Sequence, residues 1–270
     1  MKKRVLLCSM DGVRPDAILS TETPTIDRLA REGAFTWSAR TVMPSSTLPC
    51  HTSMLRGVPT ERHGITSNTF TPIVRPVPSL IDAARAQGRR TGFFYNWEQL
   101  RDLADPGSLH VAVMHGECTS EKSDAFLAEQ ACAYLERDDL DLLFLYLGWP
   151  DECGHKHGWM TPPYLESITH ADACLGRVLE TLRRLGRETV TLVVSDHGGH
   201  DRSHGTDRPE DMTIPWVLNG PGVRAGVEIA TPVRIYDTCP TLAHLLGLSP
   251  APQWEGRIVT DALEPDAISA

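Results

Sequence analysis

Three uninterrupted apolar runs constrain the fold of this 270-residue chain more than any other feature of its sequence. They cover Val5–Met10, 141–147 and 189–195. A strand that is apolar along its whole length is buried on both faces, and such strands occur mainly in parallel sheets that helices cover on two sides. Because helix-like segments separate the runs, the sequence predicts an α/β fold with a mostly parallel central sheet and helices on both faces.

The intervening segments indicate how the chain is organised. Long amphipathic helices are predicted over 120–137 and 163–185 from the spacing of their apolar residues. No internal repeat and no long linker divides the sequence. We therefore expect one domain over 1–270, with small cap or loop segments around 66–78 and 96–119, where proline, glycine and histidine interrupt the regular patterns.

Charge and cysteine usage limit the partners and the compartment. The net charge of -9 makes the chain a poor candidate for binding nucleic-acid polymers or anionic membranes. No apolar run approaches the about 20 residues of a membrane span, and the run at Val5–Met10 is too short for a signal peptide. The seven cysteines lack the spacing of a disulfide framework or a zinc ribbon. We therefore expect a cytoplasmic protein with reduced thiols and no membrane partner; the sequence does not specify its oligomeric state.

Carboxylate and imidazole side chains follow all three apolar runs. In a parallel sheet, active sites lie beyond the carboxyl ends of the strands. Carboxylates and imidazoles that converge there are ligands that zinc prefers. The candidate ligands are Asp11 after the first run, Asp151 and His155 after the second, and Asp196, His197 and His204 after the third.

Each candidate ligand has an ordinary structural alternative. An aspartate at a strand end, such as Asp11, often belongs to a turn. Asp151 and His155, four residues apart, can form a pair on a helix surface. His200 competes with His204 for the last ligand position. Structural roles for all of these residues would require several coincidences at strand ends, so we favour a metal site.

Thr47 is the candidate nucleophile. It follows a cluster of proline and serine and precedes a short predicted helix that ends at Gly57. A hydroxyl at a helix N-terminus suits an anion, although an ordinary helix cap would have the same sequence. A threonine nucleophile needs an activator, and a bound metal ion supplies one.

The ordered set of motifs resembles the alkaline phosphatase superfamily, and most closely its type I phosphodiesterase/nucleotide pyrophosphatase family. The resemblance implies an alkaline phosphatase-like three-layer sandwich and a catalytic role for the single domain. The matching segments, spread over nearly the whole chain, are 11–12, 44–57, 61–65, 151–158, 196–199, 204–207, 219–223 and 235–242.

The resemblance also implies a site with two divalent metal ions, zinc being expected and manganese possible. Thr47 would attack phosphorus and form a phosphoryl-threonine, which water then hydrolyses. The substrate would be a small phosphoester, most closely a phosphodiester or a nucleotide pyrophosphate. By position, one metal ion would be held by Asp11, Thr47, Asp196 and His197, and the other by Asp151, His155 and His204.

One departure from the family bears on the substrate. Cys50 stands where the family usually has an asparagine that donates a hydrogen bond to a phosphoryl oxygen, and we place Cys50 and His51 on the substrate side. A phosphomonoesterase or a phosphonate hydrolase of the same superfamily is therefore the alternative. A sulfatase is disfavoured, because residues 47–51 lack both the modifiable residue and the arginine of the sulfatase motif. A non-catalytic metal-binding protein is disfavoured because Thr47 is retained.

Overall fold

The computed structural model describes residues 2–69, 71–73, 76–105 and 107–268. The strands of these residues form one sheet in the order β4-β3-β5-β1-β6-β7-β2-β8. Their bounds are β1 Val5–Met10, β2 Ala34–Arg40, β3 Thr91–Tyr95, β4 Val111–Met114, β5 Leu142–Leu147, β6 Val190–Val194, β7 Thr213–Asn219 and β8 Val227–Glu228.

Helices connect most of the strands. Within the described ranges, none of them is long and apolar enough to cross a membrane. The α-helices are α1 Pro15–Ile18, α2 Pro24–Glu32, α3 Thr47–Arg56, α4 Thr60–His63, α5 Leu80–Ala86, α6 Glu121–Arg137, α7 Trp149–His157, α8 Pro162–Arg184, α9 Pro209–Met212, α10 Thr238–Leu246 and α11 Pro265–Ile268. Short 3-10 helices cover Glu98–Leu103, Ile235–Asp237 and Thr260–Ala262.

The sheet is mostly parallel. The pairs from β4 through β3, β5 and β1 to β6 are all parallel. Only β7 runs in the opposite direction, between β6 and β2, and β8 pairs in parallel with β2. The predicted α/β fold with a mostly parallel central sheet is therefore confirmed, and β1 lies at its centre, between β5 and β6.

Apolar side chains of β1 point alternately into two cores, one on each face of the sheet. Leu7 packs in a cluster that includes Leu48 of α3 and Leu242 of α10. Leu6 packs in the opposite cluster, which includes Leu127 of α6. Helices α3, α5 and α10 thus cover one face, and α2, α6 and α8 cover the other. The uninterrupted apolar run in the sequence arises from this burial on both sides.

The segment 96–119 corrects the prediction of an irregular region. It contains the 3-10 helix Glu98–Leu103 and the edge strand β4, which pairs with β3. In β4 only Val111 is buried, while Ala112 and Met114 are exposed. The run Val111–Met114 is apolar but only four residues long, between two histidines, so it is too short to distinguish a strand from a loop.

The segment 66–78 contains no strand in its described part. Residues 70, 74 and 75 of this segment, and residue 106 of the segment 96–119, lie outside the described residues. The organisation of the chain as one catalytic domain stays a prediction.

Candidate metal centre

The candidate ligands lie at the carboxyl ends of three adjacent strands. Asp11 follows β1, Asp151 lies on α7 just after β5, and Asp196 lies two residues beyond β6. Neighbouring strands of a sheet are about 4.8 Å apart. The order β5-β1-β6 therefore brings together side chains that are far apart in the sequence.

Helix α3 brings Thr47 to this edge of the sheet. Thr47 is its first residue, and Gly57 ends the helix with a left-handed backbone at a φ of 61°. The hydroxyl Oγ1 of Thr47 lies 3.3 Å from Nε2 of His197. The predicted short helix is thus present, and it places Thr47 against a candidate ligand.

The first group of ligand atoms, here called the buried cluster, consists of Asp11, Thr47, Asp196 and His197. Nε2 of His197 lies 3.3 Å from Oδ1 of Asp11 and 3.4 Å from Oδ2 of Asp196. Four ligands placed about 2.0 Å from a tetrahedral zinc ion are about 3.3 Å from one another. The three distances from His197, including that to Thr47, match this spacing.

The second group, here called the open cluster, consists of Asp151, His155 and His204. Nε2 of His155 lies 3.3 Å from Oδ2 of Asp151, and Nε2 of His204 lies 3.7 Å from Oδ1 of the same carboxylate. The rings of His204 and His197 stack at 3.8 Å, so the two clusters share a border. Ligand atoms within 4.8 Å of one another form two groups, Asp11, Asp196 and His197, and Asp151, His197 and His204. His197 is common to both groups, and His155 reaches the second one through its contact with Asp151.

All three histidines point the same nitrogen at the site. In each ring Nδ1 lies within hydrogen-bond distance of a backbone carbonyl, so Nδ1 carries a hydrogen and Nε2 is the nitrogen that faces the site. Carbonyl partners of this kind fix the tautomer and the ring orientation of metal-binding histidines. The pairs are His197 with Gly198 at 2.8 Å, His155 with Arg202 at 3.0 Å and His204 with Ser45 at 2.8 Å.

Buried carboxylate oxygens at the centre of the site lack hydrogen-bond partners. They are Oδ1 of Asp11, Oδ1 of Asp151 and Oδ2 of Asp196. A buried carboxylate is unfavourable unless it is paired or binds a metal ion. The unpaired oxygens, together with the histidine Nε2 atoms, therefore fit divalent cations.

Burial and neighbouring charges shift the pKa values of the carboxylates at the site. Burial and the nearby Asp196 and Asp151 raise the pKa of Asp11 well above its usual value. Burial acts on Asp196 in the same direction, but the rings of His197 and His51 outweigh it and hold the pKa of Asp196 below its usual value. A divalent cation between these carboxylates would stabilise the charged form of each and would offset the repulsion between them.

The two histidines of the open cluster titrate differently. The hydrogen bond to Asp151 raises the pKa of His155 to about 9. Burial, together with the neighbouring His197, lowers the pKa of His204 to about 4. His204 is therefore neutral at pH 7, as a metal ligand must be, whereas His155 releases a proton when a metal ion binds.

The turn between β5 and α7 is held by a buried carboxylate of α6. Asp124 accepts the N–H of Gly148 at 3.1 Å and the N–H of Trp149 at 3.3 Å. These groups start α7, so Asp124 caps the helix that carries Asp151 and His155. Burial raises the pKa of Asp124 to about 7.

Gly12 is required for the close approach of β1 and α7. Its φ is 67°, in the left-handed region, and a Cβ added there would lie 2.8 Å from Oδ1 of Asp151. Only glycine combines this backbone with this contact. Its N–H also donates to Oδ1 of Asp196 at 3.2 Å.

The structure distinguishes between His200 and His204, the two candidates for the last ligand position. Nδ1 of His200 lies 2.7 Å from Oδ1 of Asp211, and this pair lies apart from both clusters. His204 faces Asp151 instead. The geometry therefore favours His204.

Cys50 and His51, the two residues predicted on the substrate side, both bond to other parts of the protein. Both are fully buried, and Sγ of Cys50 lies 3.7 Å from the carbonyl oxygen of Pro44. His51 lies behind the buried cluster: Nε2 is 2.8 Å from Oγ of Ser9, and Nδ1 is 2.8 Å from the carbonyl of Thr47. Thr47 is buried as well, so the substrate-side placement of Cys50 and His51 stays a prediction.

Asn68 is a site residue that the sequence did not reveal. Its Oδ1 accepts the N–H of Leu48 at 3.0 Å, directly beside Thr47. The bond leaves the amide nitrogen of an exposed Asn68 available to donate. The residue belongs to the segment 66–78, and no local pattern connects a loop asparagine with a helix 20 residues earlier.

Two solved structures resemble the fold. Murine ectonucleotide pyrophosphatase/phosphodiesterase 5, in an inactive form in complex with AMP, gives a TM-score of 0.82 at 18% identity over 97% of this chain and 100% of that chain. The phosphonate monoester hydrolase of Agrobacterium radiobacter gives a TM-score of 0.79 at 18% identity, over 98% of this chain and 78% of that chain. At these identities the likeness establishes the fold alone.

Sequence similarity identifies the family. Human ectonucleotide pyrophosphatase/phosphodiesterase family member 7 is 30% identical over 224 residues, which are 73% of this chain. The match covers 48% of that relative, so the chain spans about half its length. A sequence model of the type I phosphodiesterase/nucleotide pyrophosphatase family matches residues 5–213, a range that contains every candidate ligand. The chain therefore belongs to the type I phosphodiesterase/nucleotide pyrophosphatase family.

Proposed function

We propose that this chain is a metal-dependent hydrolase that cleaves small phosphodiesters or nucleotide pyrophosphates, with Thr47 as its nucleophile. One observation carries the proposal. The hydroxyl of Thr47 lies 3.3 Å from Nε2 of His197, in a group where one carboxylate oxygen of Asp11 and one of Asp196 lack hydrogen-bond partners. A purely structural cap would not require unpaired buried carboxylates around the hydroxyl.

The donor set suits two divalent cations, one for each cluster. Mixed carboxylate and imidazole ligands favour zinc, and manganese is the alternative. When bound, the cations would lower the pKa of the Thr47 hydroxyl and stabilise negative charge on the phosphoryl oxygens. The family is metal-dependent, which supports this assignment.

Thr47 would act in two substitutions at phosphorus. In the first, Oγ1 loses its proton and bonds to phosphorus while the bond to the leaving oxygen breaks, and the leaving group takes up a proton. In the second, a water molecule bonds to phosphorus and Thr47 leaves with its proton restored. One water is consumed for each ester bond that breaks.

The start of α3 would orient the phosphoryl group. Backbone N–H groups at the N-terminus of a ten-residue helix favour an anion. The side-chain amide of Asn68, held against the N–H of Leu48, would donate to a phosphoryl oxygen. Asn68 would thus supply the hydrogen bond that the family's asparagine donates and that Cys50, a weak donor, replaces poorly.

The proposed substrate class is that of small phosphoesters, with nucleotides foremost. The murine relative with this fold binds AMP, and the human relative is named for nucleotide pyrophosphates and phosphodiesters. Small soluble esters also agree with the net charge of -9, which disfavours nucleic-acid polymers.

Initial rates on four p-nitrophenyl compounds test the proposal. The substrates are bis-p-nitrophenyl phosphate, p-nitrophenyl phosphate, p-nitrophenyl phenylphosphonate and p-nitrophenyl sulfate. Zinc-loaded protein is compared with Thr47→Ala and with Thr52→Ala as the matched control. Thr52 is another buried threonine of α3, and its hydroxyl donates to the carbonyl of Leu48 at 2.6 Å.

We expect the diester to be the best substrate, with turnover lost in Thr47→Ala and kept in Thr52→Ala. The metal content of Thr47→Ala should stay close to that of the wild type, because the other ligands remain. Faster turnover of the monoester or the phosphonate would establish the alternative activity. Substantial turnover by Thr47→Ala would refute the nucleophile.

A further inference from the structure

The side chain of Trp159 contacts all three segments that carry candidate metal ligands. It follows α7 and is 6% exposed. Neither the sequence motifs nor the proposed chemistry uses this residue. Its position between the end of β1, helix α7 and the loop after β6 therefore requires an explanation.

The indole N–H and the ring faces make different contacts. Nε1 donates to the carbonyl of Gly12 at 2.8 Å, immediately after Asp11. The ring lies edge to face with His155 at a centroid distance of 5.2 Å. It also lies 6.0 Å from the ring of His204. Trp159 thus contacts the ligand-bearing segments that follow β1, β5 and β6.

Two glycines make room for the indole. A Cβ added to Gly154 would lie 2.7 Å from the Trp159 ring, and a Cβ added to Gly199 would lie 2.2 Å from it. Gly154 precedes His155, and Gly199 lies two residues after His197. The backbones on both sides of the indole therefore touch it directly, with no side chain between them.

The backbone around Trp159 is strained. Across the described ranges, the non-glycine residues with positive φ are Met160, at 64°, and Asp201, at 48°. Met160 follows Trp159, and the carbonyl of Asp201 accepts the N–H of Trp159 at 2.8 Å. Left-handed backbone in such residues is unfavourable and persists where the surroundings determine it. The strain is concentrated where it fixes Trp159.

We infer that Trp159 is a positioning residue that holds the three ligand-bearing segments at metal-binding distance. The inference rests on the proposed function, because it assumes that the clusters bind metal ions. The carboxylates of Asp11, Asp151 and Asp196 repel one another. The hydrogen bond to Gly12 and the packing on both glycines oppose the separation that this repulsion favours.

Zinc affinity and the visible spectrum of bound cobalt test the inference. Trp159→Phe removes the N–H donor and part of the ring. Trp254→Phe is the matched control, because Nε1 of Trp254 also donates to a backbone carbonyl, that of Pro78, at 2.8 Å. Its ring likewise packs on a glycine, 3.2 Å from a Cβ added to Gly57, but it borders no candidate ligand.

We expect Trp159→Phe to bind Zn²⁺ about 10–100-fold more weakly than the wild type, as measured by competition with a chromophoric chelator. The absorption bands of bound Co²⁺, which report coordination geometry, should change as well. Trp254→Phe should keep both properties within about twofold of the wild type. Thermal unfolding of the metal-free proteins shows whether the two substitutions perturb stability to a similar degree.

Gly199→Ala provides a second test that does not depend on Trp159→Phe being well folded. Its added methyl group would displace the indole. The backbone of Gly199 is not left-handed, so alanine adds no backbone strain there and its effect falls on the contact with Trp159. We expect weaker Zn²⁺ binding in Gly199→Ala. In the double variant the smaller ring leaves space for the methyl group, so the second substitution should add little.

The outcomes separate the two proposals. Normal Zn²⁺ affinity in both Trp159→Phe and Gly199→Ala, beside a wild type that binds Zn²⁺, would overturn the positioning role and leave the proposed function intact. A wild type that binds neither Zn²⁺ nor Co²⁺ would overturn both. Equal losses in Trp159→Phe and Trp254→Phe would show a general effect on stability and would also overturn the positioning role.

Discussion

The buried cluster and the open cluster contain similar ligands but lie in different surroundings. The side chains of Asp196 and His197 are fully buried, and that of Asp11 is 2% exposed. In the open cluster, 40% of the His155 side chain is exposed. The two halves of one candidate site thus differ mainly in their access to water.

This difference assigns the two halves different tasks. In the buried cluster, charge on Asp11 and Asp196 cannot be stabilised by water, so a cation there is needed for both carboxylates to be ionised. In the open cluster, the pKa of His155 is raised to about 9 by Asp151, so a proton occupies the site until a metal ion displaces it. We expect the buried cluster to hold its ion more firmly and the open cluster to exchange its ion with solvent.

Asp196→Asn should have the largest effect, because it removes a charged ligand from the buried cluster. Asparagine keeps an oxygen for the N–H of Gly12, so the fold should survive. We expect kcat/KM for bis-p-nitrophenyl phosphate to fall about 1,000-fold, the several kcal/mol that a catalytic metal ion supplies. Metal content measured by mass spectrometry should fall by one equivalent.

Asp201→Asn is the matched control for this substitution. Asp201 lies on the same loop but is exposed, and asparagine accepts its left-handed backbone. This variant should keep its metal ions and its activity. Full metal content and near-normal turnover in Asp196→Asn would refute the ligand role.

His155→Ala should have a smaller effect, confined to the open cluster. Solvent can take the place of an exposed imidazole, so we expect one metal equivalent to bind about 10–100-fold more weakly. Raising the zinc concentration should restore most of the lost turnover, which it should not do for Asp196→Asn. His157→Ala, two residues along α7, is the control, and an equal loss in that variant would contradict the assignment.

The central strands could be predicted from sequence because burial on both faces leaves a strong local signal. β1, β5 and β6 are buried at every position and almost entirely apolar, and the candidate ligands follow directly where these strands end. β4 is apolar too, but its four residues are too few to distinguish a strand from a loop.

Side-chain contacts between distant segments could not be predicted from the sequence either. The bond from Leu48 to Asn68 depends on the path of a loop. The contacts of the Trp159 indole depend on three backbone segments that come together only in the folded protein. Contacts of this kind have no spacing in the sequence that could reveal them.

The depth of Cys50 and His51 below Thr47 has a geometric reason. They lie three and four residues after Thr47, so helical spacing puts them on the same side of α3. Each residue of a helix advances about 1.5 Å, so both lie about one turn deeper than Thr47. All ten residues of α3 are buried, and a shared side of the helix therefore does not mean a shared exposure to substrate.

Substitutions of His51 should have the smallest effect of all, because His51 contacts the buried cluster without being one of its candidate ligands. Nδ1 lies 2.8 Å from the carbonyl of Thr47 and 3.3 Å from Oδ2 of Asp196, while Nε2 faces Ser9. His51→Asn keeps a donor near the position of Nδ1, whereas His51→Gln keeps one near Nε2. We expect kcat to fall about 3–10-fold in His51→Gln, the effect of one lost hydrogen bond, and to fall less in His51→Asn. Both variants should keep two metal equivalents. Loss of a metal equivalent in either variant would make His51 a ligand. A larger fall of kcat in His51→Asn than in His51→Gln would mean that the contact with Ser9, not the contacts with Thr47 and Asp196, is what the buried cluster needs.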